Sequence, residues 1–299
     1  MDVESTRARL VRALEDFAPG DESVEPCLRA AIGVATQTPG GLLRPILACE
    51  GALARGLGVR CAEEIACALE YFHVASLMLD DLPCMDDAEI RRGQPCVHRQ
   101  FGDATAILAS LSLISRAYAL LGRALAGLPA AEQRECHALV DEALGARGLA
   151  GGQAADLRFS EGPRDARSAS RIALRKTGGL FRAALLLPAI AAGAGHDQRR
   201  ALTAVAVYWS LAYQALDDTR DLLSNQAITG KTTGRDRLLD RPNVALALGL
   251  PGSRRRTARL IRLAGLRLAR LAASEPRCAF LLAFHREHFP SAADAVRAA

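Results

Sequence analysis

The sequence predicts an all-α fold, and three observations carry that prediction. Ala, Leu, Arg and Glu dominate the 299 residues, and these types lose little on entering a helix. Apolar residues recur at spacings of three and four, the period of one helical face. Runs of alternating β-branched residues are nearly absent, so no strand is expected. Helices are expected, in order, over about 4–17, 23–35, 41–56, 60–81, 103–126, 130–148, 167–194, 198–222 and 254–273, to within a few residues at each end.

Half of the residues are apolar and 24% are charged, with no segment rich in Pro, Ser or Gln, so a packed globular chain is expected rather than a disordered one. Neither a linker nor a repeat of fixed period divides it. One domain over 1–299 is therefore expected. The apolar stretch read as longest, "AALLLPAIAAGAG" (183–195), contains Pro188 and is shorter than the roughly 20 residues of a membrane span. The start, "MDVESTRARLVRALEDF", mixes acids and bases where a signal peptide would carry a basic end and then an apolar block. A soluble, cytoplasmic protein with no transmembrane segment is expected.

Eight cysteines (27, 49, 61, 67, 84, 96, 136 and 278) form no CxxC pair and no cluster with histidines. They predict small core residues in a reducing compartment, with neither a zinc site nor a disulfide framework. The net charge of +5 suits an anionic substrate and argues against nucleic acid. Much of it comes from "SRRRTARLIRLAGLRLARL" (253–271), whose arginines alternate with Leu260, Ile261, Ala264, Leu268 and Leu271. A solvated outer helix face is expected there, and a membrane-lying face is the alternative.

Two helices share a peculiarity. "EYFHVASLMLDD" (70–81) and "YWSLAYQALDD" (208–218) each run apolar and then end in paired aspartates. Water-facing acids would be spread along an outer stripe, whereas these stand where buried stripes stop. Asp80, Asp81 and Asp86 make a DDxxxxD pattern with Asp87 beside it, and Asp217, Asp218 and Asp221 make DDxxD. Positions 217 and 221 are one helical turn apart and share a face. Carboxylates gathered beside apolar residues repel one another and are costly to desolvate, so a cation should hold them. Mg²⁺ fits, because it prefers carboxylate oxygens and is usually shared with substrate phosphates. Arg91 and Arg92 in "IRRGQP", Lys176 and Thr177 in "RKTGGLF", and Lys231 in "ITGKTTGRD" add donors for phosphate oxygens. Carboxylates, Mg²⁺ and cations together describe a diphosphate site.

These motifs resemble the trans-isoprenyl diphosphate synthases, the polyprenyl synthetase family, in its short-chain bacterial form that makes geranylgeranyl diphosphate. The resemblance lies in "SLMLDDLPCMDDAEIRRGQPCVHRQFGDATAILA" (76–109), "GLAGGQAADL" (148–157), "RKTGGLF" (175–181), "AYQALDDTRDLL" (212–223) and "GKTTGRD" (230–236), in family order. It implies the all-α isoprenoid synthase fold, a helical bundle around a central cavity, and a homodimer. It implies that Asp80, Asp81 and Asp86 bind Mg²⁺ on one side of an allylic diphosphate and Asp217, Asp218 and Asp221 on the other, with three ions per active site. Asp80, Asp81, Lys176 and Asp217 would be the catalytic residues. Arg91, Lys176, Thr177, Gln214 and Lys231 would contact the allylic diphosphate, while Arg44, His73 and Arg92 would hold isopentenyl diphosphate. The acids and arginines of 80–92 would then not have to pair with one another.

The implied reaction is ionisation of the allylic C–O bond, attack on the carbocation by the isopentenyl double bond, and loss of a proton to the released diphosphate. The residues a turn before Asp80 would form the floor under the growing tail. Ala75 and Ser76 are small there, which points to a C20 product, and Phe72 a turn further could limit the tunnel instead. Three features depart from the family pattern. Gly41 and Leu42, in "PGGLLRP", replace the isopentenyl-binding lysine and its neighbouring arginine, leaving Arg44; Leu111 replaces an aspartate; Arg241 replaces a lysine and keeps the charge. Losing one charge-assisted contact without a substitute weakens binding by roughly tenfold to a hundredfold. The departures leave two alternatives, a class I terpene synthase or cyclase and a regulatory subunit of a prenyl diphosphate synthase.

Overall fold

The structure is a computed structural model and describes residues 3–37, 40–223 and 239–289. Lys231 lies outside the described residues. Helices α1 (Val3–Asp16), α2 (Pro26–Gln37), α3 (Leu43–Ala54) and α4 (Val59–Asp80) are followed by a minimal hairpin, β1 (Ile90–Arg91) and β2 (Gln94–Pro95). Then come α5 (Val97–Phe101), α6 (Asp103–Leu125), α7 (Ala130–Leu144), α8 (Leu149–Leu157), α9 (Ala166–Lys176), α10 (Gly178–Ala191), α11 (His196–Leu223), α12 (Val244–Ser274) and α13 (Phe280–His288). The expected all-α class holds, with one exception to the absence of strands. The hairpin pairs Arg91 with Gln94, and Arg92 and Gly93 between them both take positive φ, 55° and 77°. That is the two-residue turn whose twist matches antiparallel strands.

α4 runs through the core, with Ile65, Tyr71 and Ala75 completely buried. It packs on α3, α6 and α10, and α10 in turn meets α3, α7 and α11, which carries α12. Tyr71 spends its buried hydroxyl on the Leu14 carbonyl of α1 (2.6 Å). Trp209 of α11 donates to His285 Nδ1 of α13 (3.0 Å) and stacks on Phe289. These two bonds let large amphipathic side chains be buried without an orphaned donor.

Three differences from the expected helices have physical causes. The helix expected over 167–194 is broken at Thr177, where α10 crowds α7: a Cβ on Gly179 would stand 2.5 Å from the Ala143 carbonyl oxygen. The short helices α5, α8 and α13 were not expected; α8 carries two glycines and is held by packing on α9 rather than by propensity. The last long helix begins earlier than expected, capped by Asn243, whose side chain accepts the Leu246 N–H (2.9 Å), and it is broken at Gly249 (φ 67°) before Pro251.

The stretch 183–195 is uninterrupted by polar residues, but a longer helix with a few polar residues is also strongly apolar. α6, 23 residues long, contains 18 consecutive residues of mean hydropathy 1.6 and is long and apolar enough by length and composition to cross a membrane. One face of it is core, with Leu113, Leu120 and Leu121 completely buried, while Ile107, Leu108, Leu111 and Tyr118 are exposed on the other.

Candidate active site

The C-terminal ends of α4 and α11 open on one cavity of about 750 Å³. Asp80 and Asp86 line one wall; Asp217, Asp218 and Asp221 line the other; Arg44, His73, Arg91, Arg92, Lys176, Thr177, Gln214 and Arg241 also face it. The structure thus gathers segments that lie far apart in the chain.

After α4 the backbone folds back on itself. The Asp86 N–H bonds the Asp80 carbonyl (2.9 Å) and the Ala88 N–H bonds that of Asp81 (3.1 Å), so the third aspartate of the pattern returns beside the first. Asp80 and Asp81 then part. Asp81 is absent from the cavity lining; it is buried in the fork of Arg91, whose Nε reaches its two oxygens at 2.7 and 2.9 Å. The acids and arginines of this stretch did not have to pair, but Asp81 and Arg91 do: a carboxylate taken out of water next to a planar guanidinium is stabilised by the bidentate pair. Burial weighs against the charge of Arg91, but Asp81 and Asp80 outweigh it and raise its pKa.

Asp80 faces Lys176 Nζ at 3.4 Å. Burial, offset in part by Lys176, pushes its carboxyl up to about 6. Lys176 also reaches Asp156 of α8 at 3.4 Å. Burial opposes the lysine's charge, yet Asp80, Asp156 and Asp86 prevail and its pKa is raised. Arg241, expected on a diphosphate, pairs with Asp86 (3.1 Å) and donates to the Met85 carbonyl (2.9 Å). Asp156 was missed as a site residue although it belongs to the quoted "GLAGGQAADL" stretch; a lone aspartate on an alanine-rich segment carries no signal until α8 packs on α9.

The second wall is held differently. Asp218, almost completely buried, accepts the Val244 backbone N–H at the start of α12 (2.7 Å) and the Gln214 side-chain amide (2.8 Å). Gln214 in turn accepts from Thr177 (2.9 Å). The chain from Thr177 through Gln214 and Asp218 to Val244 thereby ties the α9–α10 break to α11 and α12.

At the opposite end Arg44 bonds His73 Nε2 (3.3 Å) and lies over the rings of Phe181 and Tyr213, its guanidinium carbon 4.7 and 5.7 Å from their centroids. Burial, then the charges of Arg44, Arg92 and Arg91, hold the His73 imidazole well below its ordinary pKa, so it stands neutral. Arg92 pairs with the buried Glu70 (3.5 Å), whose carboxyl burial pushes up against the pull of Arg92 and Arg44. Glu70 was also missed; its place in "EYFH", one turn before His73, is the signal that would have found it.

Phe72, Ala75 and Ser76 do not line the cavity. Phe72 meets Tyr118 of α6 edge-on, ring centroids 5.0 Å apart, and Ala75 is completely enclosed. Gly41 and Leu42 do line it, with Leu42 at φ 50° before α3. Leu111 is exposed on the outer face of α6.

Among the described residues no three acids, histidines or cysteines are gathered closely enough to hold a metal ion unaided. The donor set nonetheless suits Mg²⁺. That ion keeps water and shares substrate phosphates instead of requiring a protein cage, and Asp80, Asp86, Asp217 and Asp221 all line the same cavity of about 750 Å³.

The family model described as polyprenyl synthetase matches residues 25–270. The chain is 36% identical over 237 residues to the geranylgeranyl diphosphate synthase of Pseudescherichia vulneris, covering 79% of this chain and 76% of that one. It is 38% identical over 231 residues to the farnesyl diphosphate synthase of Escherichia coli K12, covering 74% and 75%. A crystal structure of the Helicobacter pylori geranyltransferase complexed with magnesium and isoprenyl diphosphate superposes with a TM-score of 0.86 at 26% identity, over 96% of each chain.

Proposed function

Because the chain belongs to the polyprenyl synthetase family of trans-prenyltransferases, we propose that it condenses isopentenyl diphosphate with an allylic diphosphate, farnesyl diphosphate or shorter, to give geranylgeranyl diphosphate. The observation that supports this is that both aspartate groups line one cavity, with arginines, a lysine and a neutral histidine around it. A diphosphate between carboxylates needs cations on both sides, and the site has them or can take them.

In this proposal Asp80 and Asp86 with Asp217 and Asp221 hold Mg²⁺ through the allylic diphosphate, Asp81 and Asp218 completing each wall. Bound Mg²⁺ would draw off the negative charge that builds on the departing diphosphate. Lys176, Arg91, Thr177 and Gln214 orient that group, and their fixed donors strengthen it as a leaving group in a poorly hydrated cavity. Arg44, Arg92 and the neutral imidazole of His73 place isopentenyl diphosphate so that its double bond meets the carbocation. No side chain is assigned as base; the released diphosphate takes the proton. The cavity reaches Leu77 on α4; Ala75, Ser76 and the Phe72–Tyr118 contact lie beyond it, so in this proposal the tail must open the packing between α4 and α6 to reach them.

We assign the exposed apolar face of α6, Ile107, Leu108, Leu111 and Tyr118, to a symmetric contact with a second copy, since one face can cover itself across a two-fold axis. Its molar mass in solution checks the dimer. Eight free cysteines support a reducing compartment, the cytoplasm.

Incubation with Mg²⁺, farnesyl diphosphate and labelled isopentenyl diphosphate tests the activity. A labelled C20 diphosphate is expected; hydrocarbon formed without isopentenyl diphosphate would mean a cyclase, and no turnover until another synthase is added would mean a regulatory subunit. Ala75→Tyr is expected to shorten the product to C15. Product length unchanged in that variant would move the floor elsewhere, and Phe72→Ala should lengthen the product if the aromatic contact is that floor.

A further inference from the structure

Position 41, where the family pattern carries a lysine, has no side chain to offer an anion, yet Gly40 and Gly41 both line the cavity. Arg7 is not among the residues lining the cavity, but it brings a cation next to this corner, from a part of the chain that no motif marks. Arg7 of α1 donates from Nη1 to the Gly40 carbonyl (3.0 Å). On the other side of the same residue lies Arg92: a Cβ on Gly40 would stand 2.9 Å from its Nη2. Arg7 is half-buried, and its charge also favours the ionised form of Glu70. Glu70 is acted on by Arg92, Arg44 and Arg7 and Arg44 also by Asp217, so three guanidinium groups meet two carboxylates here. A guanidinium carries several N–H donors, and holding one carbonyl does not exhaust them.

α1 is a firm base for such a group. Leu10, Leu14 and Phe17 are buried, Thr6 donates to Glu50 of α3 (2.5 Å), and the Leu14 carbonyl takes the Tyr71 hydroxyl. These contacts hold the helix against α3 and α4, the two elements that position Arg44 and His73.

We propose that Arg7 supplies the cation that Gly41 lacks and grips the diphosphate of isopentenyl diphosphate at the cavity rim, beside Arg44 and Arg92. The assignment rests on the function proposed above. Position 41 itself has room: a Cβ there would meet nothing nearer than Leu43 Cγ at 3.8 Å. A lysine can therefore be restored at 41, which separates a missing charge from a disturbed backbone.

Calorimetric titration with isopentenyl diphosphate alone, with no allylic partner and so no transfer, tests the assignment. Arg7→Gln keeps a donor for the Gly40 carbonyl but removes the charge, and roughly tenfold weaker binding is expected, with Arg7→Lys intermediate. Adding Gly41→Lys to Arg7→Gln should recover most of the loss. In turnover assays the KM for isopentenyl diphosphate should rise and that for the allylic substrate stay. Binding unchanged by Arg7→Gln overturns the assignment of Arg7 alone. A loss that Gly41→Lys does not repair also overturns it, because Arg7 would then only shape the loop. No binding to the unaltered chain overturns the proposed substrate and the assignment with it.

Discussion

At the end of α4, Asp81 sits in the fork of Arg91 and Asp80 faces Lys176; at the end of α11, Asp218 takes a backbone N–H from the start of α12 and a side-chain amide from Gln214. The two sequences carry the same pair of residues; the first pair is divided between Asp81, away from the cavity, and Asp80, which lines it, whereas Asp217 and Asp218 both line it. The means of support differ. On the first wall the negative charge is met by cations on long side chains, Arg91, Lys176 and Arg241, which can shift when another cation arrives. On the second wall the contacts of Asp218 include a backbone N–H at the start of α12 and the Gln214 amide, and that backbone contact cannot shift without moving α12. The long side chains on the first wall can exchange partners more readily than that contact can.

The largest effect expected is on activity, and it tests whether the walls work together. Asp80→Asn and Asp217→Asn should each lower kcat/KM for isopentenyl incorporation by roughly a hundredfold to a thousandfold, the range for removing one preorganised electrostatic contact. Full activity in either variant would assign the chemistry to one wall. Next in size is stability. Asp81→Asn leaves Arg91 without its partner and should cost about 3 kcal/mol by urea titration, as for other ion pairs broken on one side in a buried setting. Asp218→Asn keeps an acceptor and should cost about 2 kcal/mol. A reversal of that order would show that the relay, not the ion pair, is the stronger support.

Exchange on the first wall gives a smaller shift. Mg²⁺ together with inorganic diphosphate should raise Tm more than the two separate increments combined, because the ion alone must displace Lys176 and Arg241, whereas a diphosphate offers those cations a new anion. At ligand near a hundred times Kd the stabilisation is about 2.7 kcal/mol. Additive increments would mean preformed ion sites. The smallest effect expected concerns His73. Its folded pKa is depressed, while in the unfolded chain it titrates near the ordinary value of about 6.5. Its contribution to stability is therefore present above pH 6.5 and lost as pH falls below, because protons bind the unfolded chain first. His73→Gln should flatten the fall in Tm between roughly pH 7.5 and 5.5; an unchanged slope would place that acid sensitivity in other groups.

Much of the fold was legible because helical periodicity is local. The lengths of α4 and α11, and the aspartates at their ends, follow from residues three and four positions apart. The break at Thr177 was not read from the sequence, and the close approach of Gly179 to the Ala143 carbonyl beside it is a contact between remote segments. Nor were α8 and Asp156, whose place beside Lys176 is created by packing. Arg241 could be read as a retained charge, but its pairing with Asp86 joins residues 155 positions apart.

By itself the sequence determined the helical class, the two aspartate ends, the basic residues that accompany them and the gap at position 41, because each is a property of residue type and short spacing. The tertiary structure alone decided which aspartate of the first pair leaves the cavity, which cations answer the first wall, and that Arg7 arrives beside Gly40. Those outcomes depend on distances between segments remote in the chain, and a charge acts on whatever stands within a few ångströms of it, wherever that lies in the sequence.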